Sequence, residues 1–249
     1  MHLQQYLKKT PRIAVGYSGG VDSSYLLYAA KTAGCDVRAY FIKSQFQPRL
    51  ELNEAIRFSA RHGISLTVDA LNILEDPNIA RNPPDRCYYC KNLMLKRVRE
   101  LARADGYEVL ADGTNADDDE ADRPGMRALS EQGVLSPLRE CGLNKADIRR
   151  LSKHAELSTH DKPSYACLAT RIPSDTPITV RLLEKIERAE EALHDMGFTD
   201  MRVRFIPPGG VKIQLPDSQI ATAGAKRAEI LAALQPTFNS IVLDLEGRS

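Results

Sequence analysis

The chain has no apolar stretch near 18 residues, so it offers no candidate membrane-spanning helix. Its start, Met1-His-Leu-Gln-Gln-Tyr-Leu-Lys-Lys9, lacks the apolar centre of a signal peptide, and a cytoplasmic protein is expected. Charge of one sign is also scarce. The 34 Lys and Arg residues against 33 Asp and Glu leave +1, so no global positive field announces a nucleic-acid binder, and only a local basic patch stays open. Five cysteines in a reducing compartment argue against a disulfide framework and for metal or redox use. No internal repeat or low-complexity tract is present. What remains is ordinary for a globular protein: 249 residues, 43% hydrophobic and 27% charged, enough for one large domain or a medium one with a small one.

The strongest signal is Ser18-Gly-Gly-Val-Asp-Ser-Ser24, placed directly after the apolar run Ile13–Val15. A strand that enters a Gly-rich turn and then a helix builds an anion cradle. Gly19 and Gly20 permit backbone angles that let successive N–H groups converge on a phosphate. The helix beginning near Val21 aims its unsatisfied N–H groups at the same place. Ser18 and Ser23 add hydroxyls, and the Asp22 carboxylate suits Mg²⁺. The pattern is not GxxxxGK[ST], so this is not a Walker A loop. It resembles the pyrophosphatase loop (PP-loop) of enzymes that split ATP between its α and β phosphates.

Around this loop the first half alternates strand-like and helix-like runs. Strands are expected at Ile13–Val15, Val37–Ile42, Ser65–Val68 and Val109–Ala111, and helices at Val21–Thr32, Leu50–Arg61, Asn92–Asp105 and Lys145–His154. That alternation predicts a doubly wound parallel α/β sheet with ligands at the carboxyl ends of its strands. After an irregular Pro- and Ser-rich segment, Pro163–Pro177, the pattern changes. A long helix at Val180–Met196, strands at Met201–Phe205, Val211–Leu215 and Ser240–Leu245, and a helix near Arg227–Leu234 predict a second, smaller α+β domain. The expected division is 1–174 for the first domain and 175–249 for the second.

Several other constellations carry chemistry. Cys87-Tyr-Tyr-Cys90 sets two sulfurs on one turn, and Cys167 in the irregular segment is a third. Three thiolates hold a [4Fe–4S] cluster with one iron open, whereas a zinc knuckle needs a second CxxC or paired histidines that are absent. The CxxC also reads as a buried or redox-active pair, and Cys35 and Cys141 as inert small side chains. Asp112-Gly-Thr-Asn115 ends the fourth strand on the same edge as the phosphate loop, with Asp117–Asp119 behind it, a run that reads equally as a solvated turn. Arg123 and Lys162 place cations in loops. Arg202 and Arg204 alternate on one strand and share a face, either as a clamp for a dianion or as an exposed strand face. Glu187 and Glu190 share a helical face, and a solvated face is the plainer reading of Glu187, Glu190 and Glu191.

Taken in order, SGGVDSS at 18–24, RCYYCK at 86–91, DGTN at 112–115, RPG at 123–125, SPL at 136–138, KP at 162–163 with CLATRIP at 167–173, RVR at 202–204 and DLEG at 244–247 resemble the LarE family over nearly the whole chain. The resemblance implies an ATP-dependent sulfur transferase in the assembly of the nickel-pincer nucleotide cofactor. Its substrate is pyridinium-3,5-biscarboxylic acid mononucleotide, whose carboxylates become thiocarboxylates. One variant of the family surrenders the sulfur of a single cysteine at the CLA position; the other uses three cysteines and a [4Fe–4S] cluster. With Cys87, Cys90 and Cys167 all present, this chain resembles the cluster-dependent variant. The resemblance implies ATP and Mg²⁺ at Ser18, Gly19, Gly20, Asp22, Ser23, Ser24, Gly113, Thr114 and Lys162, and substrate at Arg171, Arg202, Arg204, Arg123 and Glu190. It also implies a small-molecule nucleotide partner, a sulfur donor the sequence does not name, and a homo-oligomer. The chain departs from the family where Gln214 follows Ile213, at the turn Pro207–Gly210, and in ending at Arg248-Ser249. These departures bear on any metal site in the second domain. Three rivals stay open: a PP-loop tRNA thiolase with a three-cysteine cluster, an amide-forming PP-loop synthetase, and a non-catalytic metal carrier that senses nucleotide.

Overall fold

The computed structural model describes residues 2–118, 124–163 and 165–248. The chain divides into two compact units. The first comprises Met1–Ile73 and Asp85–Ser164, and the second Leu74–Pro84 and Tyr165–Ser249.

The first unit begins with helix α1 (Leu3–Lys8), then β1 (Arg12–Gly16), α2 (Val21–Thr32), β2 (Asp36–Lys43), α3 (Arg49–Arg61) and β3 (Ser65–Ala70). The chain passes through α4 (Pro77–Ala80) in the second unit and returns as α5 (Arg86–Ala104), β4 (Leu110–Ala111), α6 (Pro124–Glu131), α7 (Pro137–Glu140) and α8 (Lys145–His154). The four strands are parallel in the order β3-β2-β1-β4, with Val15 opposite both Ala39 and Ala111. The two-residue period of a strand sorts its side chains between two cores. Ile13 and Val15 of β1 and Val37, Ala39 and Phe41 of β2 join Leu26, Leu27, Phe58 and Ile148 on one face. Ala14, Tyr40 and Ile42 join Leu95, Val98, Ala102, Leu110 and Leu129 on the other. Helices therefore cover both faces, and β1 and β2 are buried nearly throughout, as a parallel sheet requires. Fully burying a valine, leucine, isoleucine or phenylalanine among them contributes roughly 1.5–3 kcal/mol.

The strand order dictates where a ligand sits. From β1 the chain winds outward to β2 and β3, then returns to place β4 on the other side of β1. The helices that follow β1 and β4 pack on opposite faces, α2 with Leu26 and Leu27 and α6 with Ala128 and Leu129, so the carboxyl ends of these two strands are the switch point where sheets of this kind bind ligands. The loops at Ser18 and Asp112 both leave from that edge.

The second unit holds α9 (Val180–Asp195), β5 (Arg202–Ile206), β6 (Gly210–Gln214), α10 (Asp217–Ala225), α11 (Arg227–Leu234) and β7 (Ser240–Leu243). β5 pairs antiparallel with β6, and β6 parallel with β7. Thr179 caps α9 by accepting from the Leu182 N–H at 3.2 Å; of the apolar stripe expected from the sequence, Leu182, Leu183, Ile186, Ala189 and Leu193, all but the half-buried Leu182 are buried. Periodicity does not reveal the excursion Leu74–Pro84. It is tied to the second unit by Asp175 N–H to Asn82 O (2.9 Å), Ile178 N–H to Ala80 O (2.8 Å) and Asn82 Nδ2 to Pro173 O (2.8 Å).

Candidate functional site

At the end of β1 the ladder continues through Tyr17 N–H to Tyr40 O (2.8 Å), and the chain then turns sharply. Gly19 adopts φ +78, a conformation that favours glycine, and a Cβ there would lie 2.8 Å from Glu51 Oε2, which would have to shift. Gly20 is the N-cap of α2 and offers no side chain to satisfy the first N–H groups. The hydroxyls of Ser18 and Ser23 lie 3.1 Å apart, and Ser23 Oγ donates to Gly20 O at 3.3 Å. Ser24 is fully buried and shares a hydrogen bond with the Tyr17 hydroxyl (3.2 Å), so it braces the loop from beneath. Burial in that core pushes the Tyr17 phenol well above its ordinary value.

The loop after β4 closes against the same helix start. Gly113 packs so tightly that an added Cβ would stand 2.6 Å from Ser23 N and 2.9 Å from Ser23 Cα. Asp112 is buried and accepts from Thr114 Oγ1 (2.6 Å), Thr114 N–H (3.1 Å) and Ser136 Oγ (2.9 Å), with Lys91 Nζ at 3.6 Å. Thr114 is thus held by Asp112. The acidic run behaves as turn chemistry in its described part: Asp118 accepts from Asn115 N–H (3.0 Å) and Asp117 from Lys145 N–H (2.8 Å).

Two lysines reach the loop from distant sequence. Lys145 Nζ donates to Asp22 Oδ2 at 2.5 Å, while Asp22 Oδ1 is buried with no hydrogen bond among the described residues. An oxygen so placed suits a hard cation, and Asp22 fits Mg²⁺ on that ground. Lys162 Nζ donates to Gly19 O (2.9 Å) and pairs with Glu51 (2.7 Å) and Glu54 (2.6 Å). Burial raises the Glu51 carboxyl above its ordinary range, and Lys162 opposes that rise. Glu51, Glu54 and Lys145 escape sequence reading because nothing in their local pattern marks them. The sheet order brings them to the loop.

The CxxC sits inside a helix. α5 begins at Arg86, so Cys87 and Cys90 occupy its first turns at i, i+3 spacing and face the same side. The sequence places the helix start at Asn92, six residues late; Asp85 after Pro84 is the boundary signal that marks the earlier start. Cys87 is exposed with Arg86 Nη2 at 3.5 Å, and Cys90 Sγ lies 3.7 Å from Met94 Sδ. Cys167 is the N-cap of the 3-10 turn Leu168–Arg171 and belongs to the second unit. None of the five cysteines is in a disulfide. Among the described residues no three His, Cys, Asp or Glu side chains form a metal-ion set. By donor type, two soft thiols on one helical turn of the first unit and a third in the second unit are the ligands an iron–sulfur centre takes.

In the second unit a guanidinium cluster surrounds Tyr165. Arg171 and Glu190 form a buried pair, with side chains 0% and 5% exposed, through Nε to Oε1 (2.8 Å) and Nη2 to Oε2 (3.2 Å). Arg171 Nη1 also donates to Ala166 O and Thr170 Oγ1. Glu190 accepts further from Val203 N–H (2.9 Å) and from the Tyr165 hydroxyl. The solvated-face reading of Glu190 is therefore corrected: it joins the buried stripe of α9 and anchors β5. The guanidinium carbons of Arg171 and Arg202 lie 5.0 and 4.9 Å from the Tyr165 ring centroid. Arg204 donates to Thr170 O (2.8 Å) and to Gln214, which in turn donates to Asp244 (2.8 Å). Burial, and after it the neighbouring Arg171 and Arg248, push Arg202 down to about 10 and lower Arg204 as well, while Glu190 opposes both shifts. Guanidinium stays charged in proteins. Arg123 and Asp119 lie outside the described residues.

A Ser-Gly-Gly phosphate loop at the switch point of a doubly wound parallel sheet defines a PP-loop protein. No family model matches the chain. Sequence relatives do. The pyridinium-3,5-bisthiocarboxylic acid mononucleotide synthase of Lactiplantibacillus plantarum is 31% identical over 97% of this chain and 88% of its own length. An uncharacterized protein of Synechocystis is 34% identical over 99% of this chain and 93% of its own. The tRNA-specific 2-thiouridylase of Hahella chejuensis is 25% identical over 62% of this chain and 52% of its own. The chain belongs to the family of the pyridinium-3,5-bisthiocarboxylic acid mononucleotide synthase, the LarE family.

Proposed function

We propose that the chain is an ATP-dependent sulfur transferase that converts a carboxylate of pyridinium-3,5-biscarboxylic acid mononucleotide into a thiocarboxylate. The observation that carries this reading is a likeness to the named synthase over nearly the full length of both chains. The site chemistry agrees with it. The loop from Ser18 to Ser24 and the start of α2 receive the phosphates, with Ser18 and Ser23 as hydroxyl partners, Thr114 and Gly113 closing the other side, and Asp22 offering an oxygen to Mg²⁺. Lys162 exchanges Glu51 and Glu54 for phosphate oxygen. A substrate carboxylate oxygen attacks the α-phosphorus, the bond to the β-phosphate oxygen breaks, and pyrophosphate leaves. The acyl adenylate then has a leaving group that a free carboxylate lacks, and sulfur displaces AMP at the carbonyl carbon. Cys87, Cys90 and Cys167 would hold a [4Fe–4S] cluster, which would supply the sulfur when bound. Arg202 and Arg204 hold the substrate phosphate or second carboxylate, while Arg171 and Glu190, spent on each other, fix Tyr165 and β5. In this reading the first unit carries ATP, and the second carries substrate and self-association into a homo-oligomer.

The test is pyrophosphate release by anaerobically iron-reconstituted protein, with the pyridinium biscarboxylate mononucleotide or bulk tRNA as acceptor. Release with the mononucleotide, and an oxygen-to-sulfur mass shift in it, is expected. Release with tRNA alone would transfer the assignment to the thiolase class, in line with the partial likeness to the 2-thiouridylase.

A further inference from the structure

A cavity of about 530 Å³ opens on the first unit beside the phosphate loop, yet none of the loop residues lines it. Its walls come from the C-terminal half of α3, with Glu54, Arg57, Phe58 and Arg61, and from the segment carrying Ser158, Thr159, Asp161 and Lys162. Arg57 and Arg61 stand one helical turn apart on α3, and among the described residues no carboxylate forms an ion pair with either. Thr159 is 6% exposed, and its hydroxyl has no hydrogen-bond partner among the described residues. A buried unmatched hydroxyl costs free energy unless a ligand or ordered water completes it. The wall is built, because Arg149 donates to both His160 O (2.9 Å) and Lys162 O (2.8 Å) and holds the segment in place. Of the two acids present, Glu54 is drawn to Lys162 and Asp161 lies open to solvent.

We propose that this cavity is a second phosphoryl-binding site, in which Arg57, Arg61 and the Thr159 hydroxyl hold the terminal oxygens of one phosphate group. Two guanidinium forks and a hydroxyl are three donor groups. A carboxylate has only two oxygens to offer them, whereas a terminal phosphoryl group has three. The volume lies in the range of small-ligand pockets, so free pyrophosphate and the phosphate end of a nucleotide share the required chemistry.

Calorimetric titration of the full chain with pyrophosphate, and separately with AMP, tests the assignment without turnover. Arg57→Ala/Arg61→Ala is expected to weaken pyrophosphate binding by at least about tenfold, since charge-assisted contacts are lost. Arg188→Ala/Arg227→Ala removes the same charge from exposed sites in the second unit and is expected to change nothing. Thr159→Val is expected to weaken binding and Thr159→Ser to restore it, all with unchanged melting temperature. Any affinity at the phosphate loop is common to every variant and cancels. An Arg57→Ala/Arg61→Ala isotherm that superimposes on the parent's overturns the proposal. AMP binding that the double variant loses identifies the nucleotide source, and pyrophosphate binding alone identifies the free anion.

Discussion

Gly113→Ala is a perturbation of one methyl group whose effect follows from position. The glycine has an ordinary backbone angle, so no conformational penalty enters, and the whole effect is contact. The new Cβ would sit 2.6 Å from Ser23 N and 2.9 Å from Ser23 Cα, both backbone atoms in the first turn of α2. Reaching an ordinary contact near 3.4 Å demands a displacement of roughly 0.8 Å between the β4 loop and the helix that frames the phosphates. Overpacking of this kind costs about 1–3 kcal/mol, read as a lower midpoint in urea unfolding. The displaced cradle matters more, since an error near 1 Å in a positioned site costs about 100-fold in rate. Steady-state pyrophosphate release should therefore fall by about two orders of magnitude while most of the protein stays folded. Wild-type release with wild-type stability would falsify the close approach and the role of the Asp112–Asn115 loop as the second wall.

Other expectations follow from the same geometry. Arg171→Met strands the buried Glu190 carboxylate and should destabilise the protein by about 3–5 kcal/mol in denaturant melts. Adding Glu190→Leu to Arg171→Met should recover part of that loss; an additive double loss would contradict the pairing. Because Glu51 has a raised pKa when folded, the native state binds its proton more tightly than the unfolded chain. Its contribution is most favourable in acid and is lost as pH rises from the ordinary carboxylate range through the raised value. Glu51→Gln should remove that slope from melts taken at stepped pH, and an unchanged slope would place the titration elsewhere. Cys167→Ala, or removal of iron by a chelator, should abolish sulfur transfer and spare adenylation measured by pyrophosphate exchange; intact transfer would remove the cluster from the reaction.

Much of the scaffold is legible in the chain because short-range rules govern it. Unbroken apolar runs mark the buried parallel strands, a 3.6-residue stripe marks α9, and Gly19 of the phosphate loop marks a turn at positive φ, whereas Gly20 takes an extended conformation open to any residue. The helix stripe of α9 is read correctly in Leu183, Ile186, Ala189 and Leu193, while the burial of Glu190 within it is not. Burial of a carboxylate depends on Arg171 lying against it, and the 19 intervening residues carry no trace of that. Helices α1, α6 and α10 escape for a related reason: they are short, and packing rather than periodicity stabilises them.

The site divides along the same line. Ser18, Gly19, Gly20, Asp22 and Ser23 lie within one turn of chain, so their chemistry is written in their spacing, and three cysteines announce soft-ligand chemistry by type alone. The partners of those residues come from elements far away in the chain, Lys145 from the start of α8, Glu51 and Glu54 from α3 and Lys162 from a loop. Lys145 reaches Asp22 across 123 positions and Lys162 reaches Gly19 across 143. Local pattern carries backbone preference and residue chemistry over a few residues. Which charges face one another is settled by the packing of elements far apart in the chain, and there Glu51, Glu54 and the open cavity of Arg57 and Arg61 came into view.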